Sequence, residues 1–316
     1  MKTIKIFKPA AEQYASTRVA VEMDASLSNT LWVTMKKNPT GAIQNFALPL
    51  LHSLSALIQT IKENDHHWHH DGRWTPIHYA VMRSEHPDYF NLGGDLSYFR
   101  DCIRRRDNAA LYQYSKLCLD MTYEWATASK DAMTTIALVQ GRALGGGFEA
   151  ALSADFLIAE EHSEFGFPEI MFGLFPCTGG MSLLARRVGV HQAERMMTNA
   201  RVYSAPELKE MGVIDEICSR GEGNLAVTRF ISNHAKRRVP RLMVQRSRYR
   251  VAPIDYAELL TVVDEWVEVA MELGTGELRA MDVLIMMQDG VRKAQTSVPQ
   301  AANTHFDLVG KVQSVM

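Results

Sequence analysis

The sequence predicts an α/β fold with mostly parallel strand pairing, and three observations carry that reading. Short apolar or β-branched runs recur through the first half of the chain: "LWVTMK" at 31–36, "IHYAVMR" at 77–83, "TTIALVQ" at 134–140 and "DFLIA" at 155–159. Segments with helical apolar spacing lie between them, as parallel crossovers require. Beyond about residue 225 the pattern becomes almost wholly helical.

Taken in order, residues 1–25 are mixed and contain one strand, and "NPTGA" breaks the chain after the run at 31–36. From Asn45 to Asn64, Leu48, Leu51, Leu54, Leu57, Ile58 and Ile61 fall at helical spacing, with Pro49 tolerable in the first turn. The stretch "KENDHHWHHDGRWTPIHY" reads as a polar loop. On a helix, His66, His67, His69 and His70 would have metal-ligand spacing, but Asp65, Asp71 and Gly72 beside them favour the loop, and no metal is expected. After "SEHPDYFNLGGD", residues 95–128 read as one helix with Leu111, Tyr114, Leu117, Cys118, Met121 and Trp125 on one stripe. The strand at 134–140 enters the glycine run "GRALGGGFEAAL", 141–152, and a helix through about Ala154. The expected division is a core over 1–225, with 1–25 as an N-terminal extension, and a helical region over 226–316 serving as lid or subunit interface.

Composition narrows the function classes. An apolar fraction of 47% can fill a substantial core, and a formal charge of −2 gives no global attraction to nucleic acid or anionic membrane. Cys102, Cys118, Cys177 and Cys218 form no CxxC pair and read as reduced thiols of a cytoplasmic protein. The N-terminus lacks a signal-peptide core, and no run approaches the roughly 20 apolar residues of a membrane span. The 17 methionines fill a core or line an adaptable pocket.

The glycine run invites a phosphate reading that fails on spacing. Counting from Gly141, the places where a P-loop needs lysine and then Ser/Thr hold Gly147 and Phe148. "GRALGGG" does not supply the dinucleotide fingerprint G-x-G-x-x-G either. A different use remains: unpaired backbone N–H groups at a helix start can donate to a developing oxyanion, and Glu149 would lie within one turn of the polarised carbonyl. On its own, the run is better read as a tight strand–helix junction with Glu149 near the positive helix end.

The segment "TTIALVQGRALGGGFEAALSADFLIAEEHSEFGFPEIMFGLFPCTGG" shifts that balance. Together with "YFNLGGDL" upstream and "ARRVGVHQAERMMTNARVYSAPELKEMGVIDEI" downstream, it resembles the crotonase (enoyl-CoA hydratase) superfamily over about residues 30–220. The resemblance implies a spiral of ββα units, usually trimeric or a dimer of trimers. It places the oxyanion donors at the N–H groups of Gly94 and Gly146, with Gly94 standing where alanine is more common. Glu149 and Glu169 then occupy the two glutamate positions of hydratases. Such a pair suits loss or gain of water at C2–C3 of an acyl thioester, because one group handles the C2 proton and the other the C3 oxygen. No external cofactor is implied.

Within the superfamily, the added length, the extended 62–79 connection and the altered opening "MKKNPTGAIQNFAL" make the chain similar to the diffusible-signal-factor synthases. That branch dehydrates 3-hydroxyacyl thioesters of acyl carrier protein and hydrolyses them to free cis-2-unsaturated acids. The implied partners are acyl carrier protein or coenzyme A thioesters, and as a group these synthases engage a cognate sensor protein. "KRRVPRLMVQRSRYR", 236–250, with Arg237, Arg238 and Arg241, would steer an acidic carrier, grip coenzyme A phosphates or form a solvated face. For the acyl chain, Leu144, Gly145, Met171, Phe172 and Leu174 flank the site, and Trp266, Leu284 and Met287 close its far end. Cys177 reads as a small buried residue rather than a thiolate nucleophile. Two alternatives stay open: a coenzyme A hydratase, and a binding module that acts through its sensor partner.

Overall fold

The computed structural model describes residues 15–39, 43–128 and 133–297, with side chains described as far as residue 288. The glycine of the "NPTGA" break lies outside the described residues.

Each expected strand forms and joins one six-stranded sheet. Its strands are β1 (Val19–Asp24), β2 (Thr30–Met35), β5 (Tyr79–Ser84), β7 (Thr134–Val139), β9 (Phe156–Glu160) and β12 (Glu216–Cys218), ordered β1-β2-β5-β7-β9-β12. Only β1 and β2 pair antiparallel; the rest run parallel. A second sheet of four short strands, β6 (Tyr89–Asn91), β8 (Arg142–Leu144), β10 (Glu164–Gly166) and β11 (Val202–Ser204), has the order β11-β10-β8-β6. Its strands are too short for periodicity to reveal.

The chain alternates between the sheets. A long strand in the first is followed by a short strand in the second and then by helix, as in β7, β8 and α4 (Gly146–Leu152). Repetition of that unit is the ββα spiral of a crotonase fold. Strand alternation gives the six-stranded sheet two dissimilar faces. Ala80 and Met82 point into the larger core, while Tyr79 and Val81 point into a smaller cluster with Val227 and Ile231 of α8 (Gly223–Ala235).

Three expectations need correction. The segment 95–128 is two helices, α2 (Leu96–Arg105) and α3 (Asn108–Thr127), because Arg106 turns left-handed (φ 56°) and Asp107 caps the second by accepting from Ala110 N–H at 3.0 Å. The histidine stretch is a hairpin rather than a loop. Strands β3 (His67–His70) and β4 (Arg73–Pro76) pair antiparallel through an Asp71–Gly72 turn whose two residues both have positive φ. Its histidines therefore alternate sides instead of sharing a helical face. Finally, the 225/226 division falls inside α8, which packs on β7, β9 and β12.

The later helices turn back over the core. α9 (Arg238–Val251) is tied to the sheet where Arg248 and Tyr249 both donate to the buried Asp155, at 2.5 and 3.2 Å. α10 (Tyr256–Glu272) packs along α3. α11 (Thr275–Ser297) packs on α2, where Arg100 and Arg104 pair with Asp282 at 3.0 and 2.7 Å. Among the described residues, no helix is long and apolar enough to cross a membrane.

Candidate active site

Three parallel strands of the small sheet end side by side, and the turn after each carries a candidate residue. β6 leads to Gly94, β8 to Gly146 and Glu149, and β10 to Glu169. In parallel sheets the strand ends are where loops converge on a ligand. Residues 75 positions apart in sequence thus meet through strand order.

The turn after β6 is pinned on both sides of Gly94. Gly93 N–H donates to Asn91 Oδ1 at 2.8 Å, Phe46 N–H donates to Gly93 C=O at 2.8 Å, and Asp95 N–H donates to the Tyr114 hydroxyl at 3.0 Å. That hydroxyl in turn donates to Phe46 C=O at 2.6 Å. Among the described residues, no acceptor takes the N–H of Gly94 or that of Gly146. The two groups are neighbours: a Cβ built on Gly146 would stand 3.7 Å from Gly94 N. A Cβ on Gly94 would overlap the ring of Phe99, which explains glycine at this place.

Gly145 makes the corner before α4 with φ 52°, a conformation that side-chain-bearing residues rarely adopt. A Cβ there would strike Glu169 Oε1, so the second carboxylate lies directly against this corner. Glu149, in the first turn of α4, is only 2% exposed. Its Oε1 accepts from the N–H groups of Thr178 and Gly180, both at 2.8 Å, and its Oε2 accepts from the Thr178 hydroxyl at 2.7 Å. Burial pushes its pKa up, and these three donors oppose the rise by favouring the ionised form.

Glu169 opens a 3-10 turn, Glu169–Phe172, and lives differently. Its Oε2 is sealed from solvent with no hydrogen-bond partner among the described residues. Burial, and then the charge of Glu149, push its pKa up from the ordinary 4.5 to about 8. Burial raises both carboxyls, and among the described residues only Glu149 has donors from elsewhere in the chain that oppose the rise.

Both acids line a largely apolar cavity of about 140 Å³. That is below the roughly 300–1,000 Å³ of ordinary small-molecule pockets, so a long chain enters only as wall side chains move. Four methionines, Met82, Met121, Met171 and Met287, supply unbranched, adjustable wall.

A family model for enoyl-CoA hydratase/isomerase matches residues 75–241, which is more than half of the 316-residue chain. The chain belongs to the enoyl-CoA hydratase/isomerase family. It is 32% identical over 139 residues to the mevalonyl-coenzyme A hydratase of Beauveria bassiana, covering 42% of this chain and 48% of that one. The chain spans about half the length of the curated relatives it matches. Among solved structures, the enoyl-CoA hydratase of Bacillus halodurans is similar with a TM-score of 0.68 at 21% identity, over 84% of this chain and 100% of that one. DspI of Pseudomonas aeruginosa aligns with a TM-score of 0.54 at 21% identity, over 91% and 99%. At such identity these likenesses bear on the fold alone.

For this hydratase/isomerase family member, the cavity gathers most of the residues expected from sequence. Leu144, Gly145, Met171 and Phe172 line it beside the glutamates and Gly94 and Gly146, and Trp266, Leu284 and Met287 line it from α10 and α11. Leu174 is a correction: it is 1% exposed and packs in the core, off the cavity wall, because the left-handed Gly173 (φ 76°) turns the chain away. Arg237, Arg238 and Arg241 lie apart from the cavity. Arg238 and Arg241 instead bear on the buried Tyr79–His234 pair, on the α8 face of the large sheet. Their repulsion, after burial itself, pushes His234 down to about 4. The cations on the cavity wall are Arg142, paired with Glu164 at 2.6 Å, and Arg201, paired with Glu207.

Cys177 lines the cavity, but burial and nearby acids push its thiol well up, the opposite of what a thiolate nucleophile needs. Sequence reasoning missed Asn91, Phe99 and Thr178, and it took Tyr114 for plain apolar stripe. A tyrosine hydroxyl brought to bear on chain 19 and 68 residues away leaves no local signal. Thr178 had one: it stands beside the paired glycines of "PCTGG".

Proposed function

We propose that the chain dehydrates 3-hydroxyacyl thioesters at C2–C3 and hydrolyses the resulting enoyl thioester, releasing a free cis-2-unsaturated fatty acid of the quorum-sensing signal class. The observation that carries the reading is the unlike pair of acids beside two unpartnered amides. The N–H groups of Gly94 and Gly146 donate to the thioester oxygen, and charge developing there strengthens both bonds. Losing one such donor costs about 3 kcal/mol in related chemistry.

A balanced cycle follows from Glu149 starting ionised and Glu169 starting protonated. Ionised Glu149 takes the C2 proton while protonated Glu169 gives its proton to the departing C3 hydroxyl, which leaves as water. Glu169, now ionised, takes a proton from the water that adds to the carbonyl carbon. Glu149 returns its proton to the sulfur as the carbon–sulfur bond breaks. Both acids end as they began, and no cofactor enters. The thiol released belongs to acyl carrier protein or coenzyme A, with Arg142 and Arg201 the cations nearest the cavity.

A second reading is hydration of trans-2-enoyl-CoA by the same acids, favoured by the family match. There the same step runs in reverse: Glu149 returns a proton to C2 while Glu169 takes one from the added water, and little free acid is formed. Further proposals, on the resemblance alone, are a trimer or hexamer, a cytoplasmic location and contact with a sensor protein. Mass spectrometry of fatty acids from cells expressing the chain decides between the enzyme readings. Free cis-2-enoic acid that disappears with Glu149→Gln and with Glu169→Gln supports the first. Hydration of enoyl-CoA without free acid supports the second, and a function kept by both variants supports a binding module.

A further inference from the structure

The cavity wall formed by α3 is less apolar than its stripe pattern implies. Ser115 and Trp125 both line the cavity, are 2% and 3% exposed, and hold a buried hydroxyl oxygen and indole nitrogen without a hydrogen-bond partner among the described residues. Native interiors rarely leave such groups unpaired. A serine hydroxyl on a helix can rotate toward the carbonyl one turn back, but an indole N–H has no such choice. Trp125 is therefore the stronger observation.

We infer that the cavity is built for an acyl chain bearing a neutral oxygen, a hydroxyl or a carbonyl, which accepts the Trp125 N–H. This rests on the thioester reading above. Cys118, whose thiol feels the charge of Glu149, lies seven residues before Trp125 on the same helix, about 10 Å along its axis. The oxygen thus belongs well down the chain, separate from the 3-hydroxyl that reacts. Thr122, one turn before Trp125 and also on the wall, supplies a hydroxyl close to the same place. The charged residues of the wall, Arg142, Glu149, Glu169 and Arg201, are all outside α3. No cation of α3 lines the cavity, so a carboxylate would find no countercharge on this wall, and the oxygen is neutral.

The test compares 3-hydroxyacyl thioesters of matched length, with and without an ω-hydroxyl, over a series of lengths. At its best length the oxygenated substrate is expected to show about three- to tenfold higher kcat/KM, the worth of one neutral hydrogen bond. Trp125→Phe keeps an aromatic, though smaller, ring and removes the N–H, so the ratio should fall to near one whatever the absolute rate. Ser115→Ala should leave the ratio standing. Calorimetric binding of a saturated fatty acid and its ω-hydroxy counterpart reads the same preference without turnover. If neither thioester reacts, the thioester reading fails and the calorimetry still decides this one. No preference in the wild type at any length, or a preference that survives Trp125→Phe, overturns the assignment.

Discussion

The turns carrying Glu149 and Glu169 come from adjacent parallel strands and face one cavity, yet they treat a carboxyl group in opposite ways. Glu149 sits on an α-helix with three donors at 2.7–2.8 Å. Glu169 sits on a single 3-10 turn against the bare Cα of Gly145, with one oxygen sealed and unpaired. Burial alone would raise both. Hydrogen bonding separates them, and separation is what acid–base chemistry with two identical side chains requires.

The most severe test removes either proton carrier. Glu149→Gln and Glu169→Gln are each expected to lower turnover by about 10²- to 10⁴-fold, with circular dichroism verifying the fold. The comparison also fixes the alkaline limb. Activity that needs protonated Glu169 should fall as pH rises through about 8. The residual activity of Glu169→Gln should lack that limb, and a limb that persists would assign it elsewhere.

Pushing the two turns apart comes next. In Gly145→Ala the new methyl overlaps Glu169 Oε1, on a backbone with φ 52°. Turnover should drop at least about tenfold, as expected for displaced catalytic groups. Thermal unfolding should show a loss of roughly 1–3 kcal/mol from the strained backbone. Unchanged turnover would mean that Glu169 need not stay against the corner.

A gentler change acts on Glu149 alone. Thr178→Val deletes the hydroxyl that donates to Oε2 while keeping the volume. With one donor fewer, the ionised form loses support and its pKa rises further. The acid limb of the pH–rate profile should move upward by about one unit, since a charge-assisted bond is worth at least the roughly 1.4 kcal/mol of one unit. An unmoved limb would show that the two backbone donors suffice.

How much of this was legible depends on the range over which each signal acts. Long strands and amphipathic helices advertise themselves by period, so five strands of the large sheet and the helical C-terminal region could be read directly, while the three-residue β12 could not. Glu149 stood out beside its glycine run, but Glu169 after Pro168 reads alone as a plain loop acid and gained its role only through the resemblance that pairs it with Glu149. Thr178 and Tyr114 act on residues 29 and 68 positions away, where no periodicity reaches. The arginines of α9 show the converse limit. Their charge was plain in the letters, but which face of the sheet they would occupy depends on how α8 and α9 cross it.

The smallest effect expected is on stability, and its sign is fixed by the difference between the two acids. Glu169 has a pKa of about 8 when folded and the ordinary 4.5 when unfolded. Between those values the folded chain holds a proton that the unfolded chain has released. Stability therefore declines as pH rises through this window: the contribution is fully present below 4.5 and gone above about 8. Glu169→Gln cannot ionise and escapes the decline. Its Tm relative to wild type should climb between pH 4.5 and 8 and level off above. A gain that does not depend on pH would show that the side chain's shape, rather than its proton, sets the cost of this turn.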